Sequence, residues 1–121
     1  MSKVKNIGII IRHAPYGKHF AQESLDAILA ASVYGQKLTL IFMGDGVLQL
    51  LKDQQPQEIQ QKSLQKQLTA LALYDIERVF VCEHSLEQRA IDSSRLSIPT
   101  TQLDQEHLRI LLHEQDSLLS F

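Results

Sequence analysis

Short, unbroken apolar runs alternating with helically spaced segments organise this chain. Ile7-Gly8-Ile9-Ile10-Ile11, Leu38-Thr39-Leu40-Ile41-Phe42-Met43 and Val79-Phe80-Val81, the last preceded by Ile76, lack the polar alternation of a strand that is wet on one side. They predict strands covered on both faces, as in a parallel sheet. Leu25, Ile28, Leu29 and Val33 recur at helical spacing and predict a helix from about His19 to Tyr34, with Gly35 as its carboxyl-terminal cap. Val47-Leu48-Gln49-Leu50-Leu51 is different: only Gln49 interrupts it, so a short helix here offers water almost no polar face. Such a segment is either sunk in the core or covered by another chain. The second alternative makes Val47, Leu48, Leu50 and Leu51 a candidate interface.

From Lys52 to Gln67 the chain holds Gln54, Gln55, Gln57, Gln60, Gln61, Gln65 and Gln67. Around Pro56 this reads as a loop. Leu64, Leu68, Leu71 and Ala72 then keep helical spacing. Ser85 followed by Gln88 has the spacing of a capping box and predicts a helix from about Ser85 to Ala90. Leu96 to Thr101 reads as a fourth strand, with Pro99 placing it near an edge. Asp104 is the expected cap of a final helix carrying Leu108, Leu111 and Leu112, and Ser117 to Phe121 reads as a last strand. Strands alternating with helices predict one α/β domain spanning residues 1–121. It has a five-stranded parallel sheet, helices on both faces and right-handed connections, in a flavodoxin-like arrangement.

Composition narrows the function more than the fold. In 121 residues, 44% hydrophobic and 21% charged residues describe an ordinary globular protein. A net charge of −2 and scattered Lys and Arg argue against direct nucleic acid binding. The lone cysteine excludes an internal disulfide and any paired-cysteine metal or redox motif. No apolar run reaches the ~18 residues of a membrane span, and the first strand is too short for a signal-peptide core, so a cytoplasmic location is expected.

Neither glycine-rich phosphate fingerprint occurs, and Gly44-Asp45-Gly46 reads as a turn at a strand's carboxyl end. A phospho-acceptor domain would want an acidic pair after the first strand, where Arg12-His13 stands instead. The five histidines, His13, His19, His84, His107 and His113, show no metal-ligand spacing, so neither a metal nor a cofactor is expected. Cys82 is the remaining candidate. It falls where the third apolar run ends, and ligands and chemistry gather at such strand ends. A helix beginning nearby, together with His84 and Arg89, could stabilise a thiolate. The competing reading is that a lone cysteine after an apolar strand is a small buried hydrophobe. A sulfur carrier needs an accessible thiolate and a docking surface; a Cys/His hydrolase would also need an orienting residue and an oxyanion hole, which nothing nominates.

Several stretches carry a resemblance when taken in order: Ala14-Pro15-Tyr16-Gly17, Glu23 to Ala30, Phe42-Met43-Gly44-Asp45-Gly46-Val47-Leu48-Gln49-Leu50-Leu51, Leu73 to Glu77, Val81 to Arg89, and Asp116 to Phe121. Through them the chain resembles the DsrE/DsrF sulfur-relay family, in its DsrF-like branch, over nearly its whole length. The resemblance implies a subunit of a TusBCD-type sulfurtransferase complex, a dimer of heterotrimers with TusB- and TusD-like partners. That complex passes persulfide sulfur from a TusA-like to a TusE-like carrier for 2-thiolation of the tRNA wobble uridine. It also implies that the sister TusD-like subunit carries the persulfide and that this chain is chiefly structural, with Cys82 at the matching post-strand position. Ala90 stands where the family pattern has a glycine. The alternatives are a working persulfide site at Cys82, and a small-molecule-binding module built on the loops at His13 and Asp45.

Overall fold

The computed structural model describes residues 4–14, 20–51, 76 and 78–121. The expected helix ending at Leu71 and Ala72, the glutamine-rich loop, and the turn at Pro15-Tyr16-Gly17 lie outside these residues. The elements are β1 (Asn6–Ile11), α1 (Phe20–Val33), β2 (Lys37–Phe42), a 3₁₀ segment (Gly44–Leu50), β3 (Val79–Cys82), α2 (Glu83–Gln88), a 3₁₀ turn (Ser93–Arg95), β4 (Thr101–Leu103), α3 (Gln105–His113) and β5 (Ser117–Ser120). All five strands join one parallel sheet in the order β4-β3-β2-β1-β5.

Buried apolar positions divide by strand alternation into two layers. Ile9, Ile11, Leu38, Leu40, Phe42, Val79 and Val81 meet Ile28 of α1 and Leu86 of α2 on one face. Ile41 and Cys82 meet Leu108 and Leu111 of α3 on the other. This division comes from the winding: β1 to β4 advance in one direction across the sheet, and β5 returns to the far side of β1. With right-handed crossovers, the return helix must cover the opposite face from those of the outward crossovers.

Local chemistry explains most boundaries. Gly35 closes α1 at a φ of +72°, the left-handed conformation that a helix end favours. Asp104 accepts from the backbone N–H of His107 at 2.8 Å and caps α3 as expected. The fourth strand is a correction. The extended pairing begins at Thr101, whereas Leu96 makes an isolated antiparallel bridge to Leu51. Pro99 has no N–H to give a ladder, and the ladder starts after it.

The candidate interface is also corrected in part. Val47 and Leu50 have no exposed surface and belong to the chain's own core, so no partner can cover them. Leu48 and Leu51 pack against that core and stay partly exposed. Gln49, the single polar residue of the run, is itself 3% exposed and donates from Nε2 to the His13 carbonyl at 2.8 Å. That bond compensates the burial of its amide. The segment is therefore a core element whose apolarity serves its own domain.

The end of α2 carries backbone strain. Ala90 adopts a φ of +52°. Its N–H bonds to the Glu87 carbonyl and that of Ile91 to the Leu86 carbonyl, with Leu86 and Ile91 both in the core. This is a Schellman closure, whose left-handed position suits glycine. A left-handed alanine costs about 1–2 kcal/mol, while glycine costs roughly 0.5–1 kcal/mol more in unfolded-chain entropy. Ala90→Gly is therefore expected to raise stability by up to about 1 kcal/mol in denaturant unfolding. A lowered midpoint at constant m-value would contradict the strained closure.

Candidate functional site: the strand ends around Cys82

The carboxyl ends of β1, β2 and β3 sit side by side, and three interactions bind their loops together. The loop after β2 approaches β1 closely: Met43 donates to the Ile11 carbonyl at 3.0 Å. A Cβ on Gly46 would lie 1.9 Å from that same oxygen, so only glycine fits there. Ser85, placed one turn into α2, accepts from the Gly44 N–H at 2.9 Å. Arg89 then reaches back with Nη2 and Nε to Oδ1 of Asp45 at 2.8 and 3.2 Å, and with Nη1 to the Ser85 carbonyl at 3.1 Å. Asp45 is largely exposed and Arg89 partly so, which makes this pair more a geometric tie than a large source of stability.

The tie corrects two expectations. Ser85 is not the cap of α2, because the helix starts at Glu83 with Cys82 in the cap position. Its hydroxyl is instead the acceptor that holds the neighbouring loop. Arg89 makes its bonds to Asp45 and Ser85, and His84 is exposed. Among the described residues neither bonds the thiol, so the expected thiolate support from His84 and Arg89 is not assembled here.

Cys82 ends β3 and is 5% exposed. It belongs to the layer under α3, with Ile41, Leu108 and Leu111, and with Met43 and Leu103 at the margin. In this arrangement it packs as a small apolar side chain. A nucleophilic or sulfur-carrying role would require α3 or its flanking loops to move and uncover it. The second alternative site is also placed: the His13 carbonyl receives Gln49, and Asp45 is paired with Arg89. The sequence reading missed these cross-loop bonds. The signal for one of them was Gln49, the single polar residue of an apolar run; Ser85, between His84 and Leu86 in a polar stretch, carried none.

A further histidine interaction lies at the start of the return crossover, just past the carboxyl end of β4. His107 Nδ1 contacts Asp104 Oδ1 at 2.7 Å. Hydrogen bonding from the His107 N–H, backbone first and then ring, holds the Asp104 carboxyl below its ordinary 3.8. The hydrogen bond and charge of Asp104 raise His107 above its ordinary 6.5. Among the described residues no cluster of His, Cys, Asp and Glu is placed to hold a metal ion. No described helix is long and apolar enough to cross a membrane.

A parallel α/β sheet wound out from β1 and back to β5, with a cysteine at the end of β3, is the framework within which the comparisons fall. The model of the DsrE/DsrF-like family matches residues 5–121, and the chain belongs to that family. Relatives named Protein TusC or its homologue match nearly end to end. The Vibrio parahaemolyticus protein is 44% identical over 93% of this chain and 95% of its own length. The Buchnera aphidicola protein is 34% identical over 98% of this chain and 100% of its own. Among solved structures, the E. coli YchN protein superposes with a TM-score of 0.82 at 25% identity, covering 98% of this chain and 100% of that one. The chain is thus a TusC-type member of the family.

Two measurements check this site. A thiol-specific disulfide reagent should modify Cys82 in the folded chain more than about a hundredfold slower than in denaturant, because the thiol reacts only after α3 unpacks. Equal rates would mean an open thiol. For the cap, His107's raised value gives stability that is full below 6.5 and lost as pH rises through its folded pKa. Asp104's lowered value gives stability present above 3.8 and lost as pH falls through its folded pKa. Amide protection in the first turn of α3 should therefore peak between about pH 4 and 6.5. Asp104→Ala should flatten that profile; an unchanged profile would show that the pair has no such role.

Proposed function

We propose that this protein is a mainly structural subunit of a TusBCD-type sulfur-relay complex in the cytoplasm. In that reading it assembles with TusB- and TusD-like subunits as a dimer of heterotrimers. The complex takes persulfide sulfur from a TusA-like donor and delivers it to a TusE-like acceptor for 2-thiolation of the tRNA wobble uridine. The end-to-end similarity to TusC proteins supports membership of such a complex. The observation that carries the structural half is the burial of Cys82 beneath α3, with no His or Arg bonded to it among the described residues. Sulfur transfer between carriers needs in-line access of one sulfur to another, and this thiol offers little surface for it.

A partner-facing role for Leu48 and Leu51 remains part of the proposal, since these two keep exposed area beside the 3₁₀ segment. The second reading, a persulfide on Cys82 itself, is favoured by its position at the carboxyl end of β3. It requires partner binding to lift the cover from the thiol.

The deciding experiment measures wobble 2-thiouridine in a parent strain, a gene deletion and a Cys82→Ala strain. Thiolation lost on deletion and retained in Cys82→Ala is the expected result. The substitution itself should cost on the order of 1 kcal/mol of stability, so assembly of the variant with its partners is checked by co-purification. Loss in an assembled Cys82→Ala complex would establish the carrier role instead. Thiolation unaffected by the deletion would refute membership of the relay.

A further inference from the structure

The short helix α2 ends under tension. Ala90 closes it at a φ of +52°, a conformation that a residue with a Cβ resists. Three amides secure the closure: Arg89 and Ile91 donate to the Leu86 carbonyl at 3.2 and 3.0 Å, and Ala90 to that of Glu87 at 3.1 Å. An outlier of this kind persists only where its surroundings over-determine it.

Part of what holds it belongs to a different loop. Arg89, the residue before Ala90, is drawn toward Asp45, with Nη2 2.8 Å from Oδ1. Ser85, one turn earlier, accepts from the Gly44 N–H at 2.9 Å. Leu86 and Ile91 anchor the apolar side of the closure in the core.

The two polar ties differ in how easily they part. Ser85 is 6% exposed, and freeing its hydroxyl leaves the Gly44 N–H without its acceptor. The Asp45 side chain is 62% exposed and that of Arg89 only 26%. Arg89 also donates from Nη1 to the Ser85 carbonyl at 3.1 Å. Of the two charges, the carboxylate is therefore the one that an incoming group can reach, and the group it attracts is a cation.

We propose that α2 and the loop after β2 form one spring-loaded latch, opened when a cationic side chain of a partner protein takes Asp45 from Arg89. On opening, Ala90 leaves the left-handed region and Ser85 releases Gly44. The loop that leads into the 3₁₀ segment, with the partly exposed Leu48 and Leu51, is then free to adjust to the partner. Relief of strain offsets part of what the broken bonds contributed, so the closed and open forms lie closer in energy than a glycine closure would leave them. The latch does not depend on whether Cys82 carries sulfur.

Native-state hydrogen exchange of the full-length chain tests this at the Gly44, Arg89, Ala90 and Ile91 amides, with those of Leu40 and Ile41 in β2 marking global unfolding. The four are expected to share one opening that is easier than global unfolding. Asp45→Asn should speed their exchange about two- to fivefold. Ala90→Gly should slow it by up to about fivefold, at Gly44 as much as at Arg89. A triarginine peptide should speed it more than sodium chloride of equal ionic strength does, and no more than the salt in Asp45→Asn. Indifference of Gly44 to Ala90→Gly would overturn the latch, as would exchange of all four amides only through global unfolding. Triarginine acting no more strongly than salt on the parent chain would overturn its opening by a partner's cation.

Discussion

A parallel crossover closes with one hand only, and that constraint decides which face of the sheet each helix must cover. The chain winds from β1 through β4 in one direction and then places β5 beyond β1. The final crossover therefore lands α3 on the face opposite α1 and α2. The environment of Cys82 is a direct result. The residue closes β3 with its side chain in the α3 layer, so the return crossover seals it. The same crossover ends in Gln115, which lines an open cleft of about 200 Å³ with Asn6, Lys37, Thr39, Arg78 and Glu114 at the amino ends of β1 and β2. One topological reversal thus sets the surroundings at both ends of the sheet.

Above the sheet, the loops are joined by polar groups that have little access to water. Gln49 and Ser85 are buried and each holds a backbone group of a neighbouring loop. Buried polar groups left unpaired are costly, so these bonds constrain the loops more firmly than the exposed Asp45–Arg89 pair. Together they fix the short α2 onto the turn after β2. Arg89 is directed toward the Asp45 carboxylate, and its charge is compensated there instead of at the thiol. A covered cysteine on a rigidly tied loop set suits a subunit that supports a complex; a carrier would want an exposed sulfur on a mobile element.

Much of the architecture was legible because parallel strands bury both faces and so read as apolar runs. The Ile7–Ile11 and Leu38–Met43 runs became β1 and β2 within a residue at each end, and Asp104 began α3 and Gly35 ended α1 through chemistry visible in the sequence. The failures share a cause. Ser85 has the spacing of a helix cap, yet its hydroxyl serves a loop 41 positions away. Leu96 to Thr101 has strand composition, yet Leu96 pairs antiparallel with Leu51 while the ladder waits for Thr101. In each case a long-range partner outcompeted the local preference.

Val47-Leu48-Gln49-Leu50-Leu51 marks the boundary between the two kinds of information. Its composition alone required burial and required that Gln49 find a partner, because apolar surface and an unpaired amide are both unfavourable where they would otherwise stand. Composition could not say whether this chain or another supplies the cover. That depended on β1, β2 and α1 forming a layer deep enough to take Val47 and Leu50, and on the His13 carbonyl lying within reach of Gln49. The same holds for Cys82. Its place at a strand end was written in the order of residues, whereas its burial was fixed by which face the last helix crossed. Periodicity along a chain encodes what each residue needs, and only packing across the chain settles which neighbour provides it.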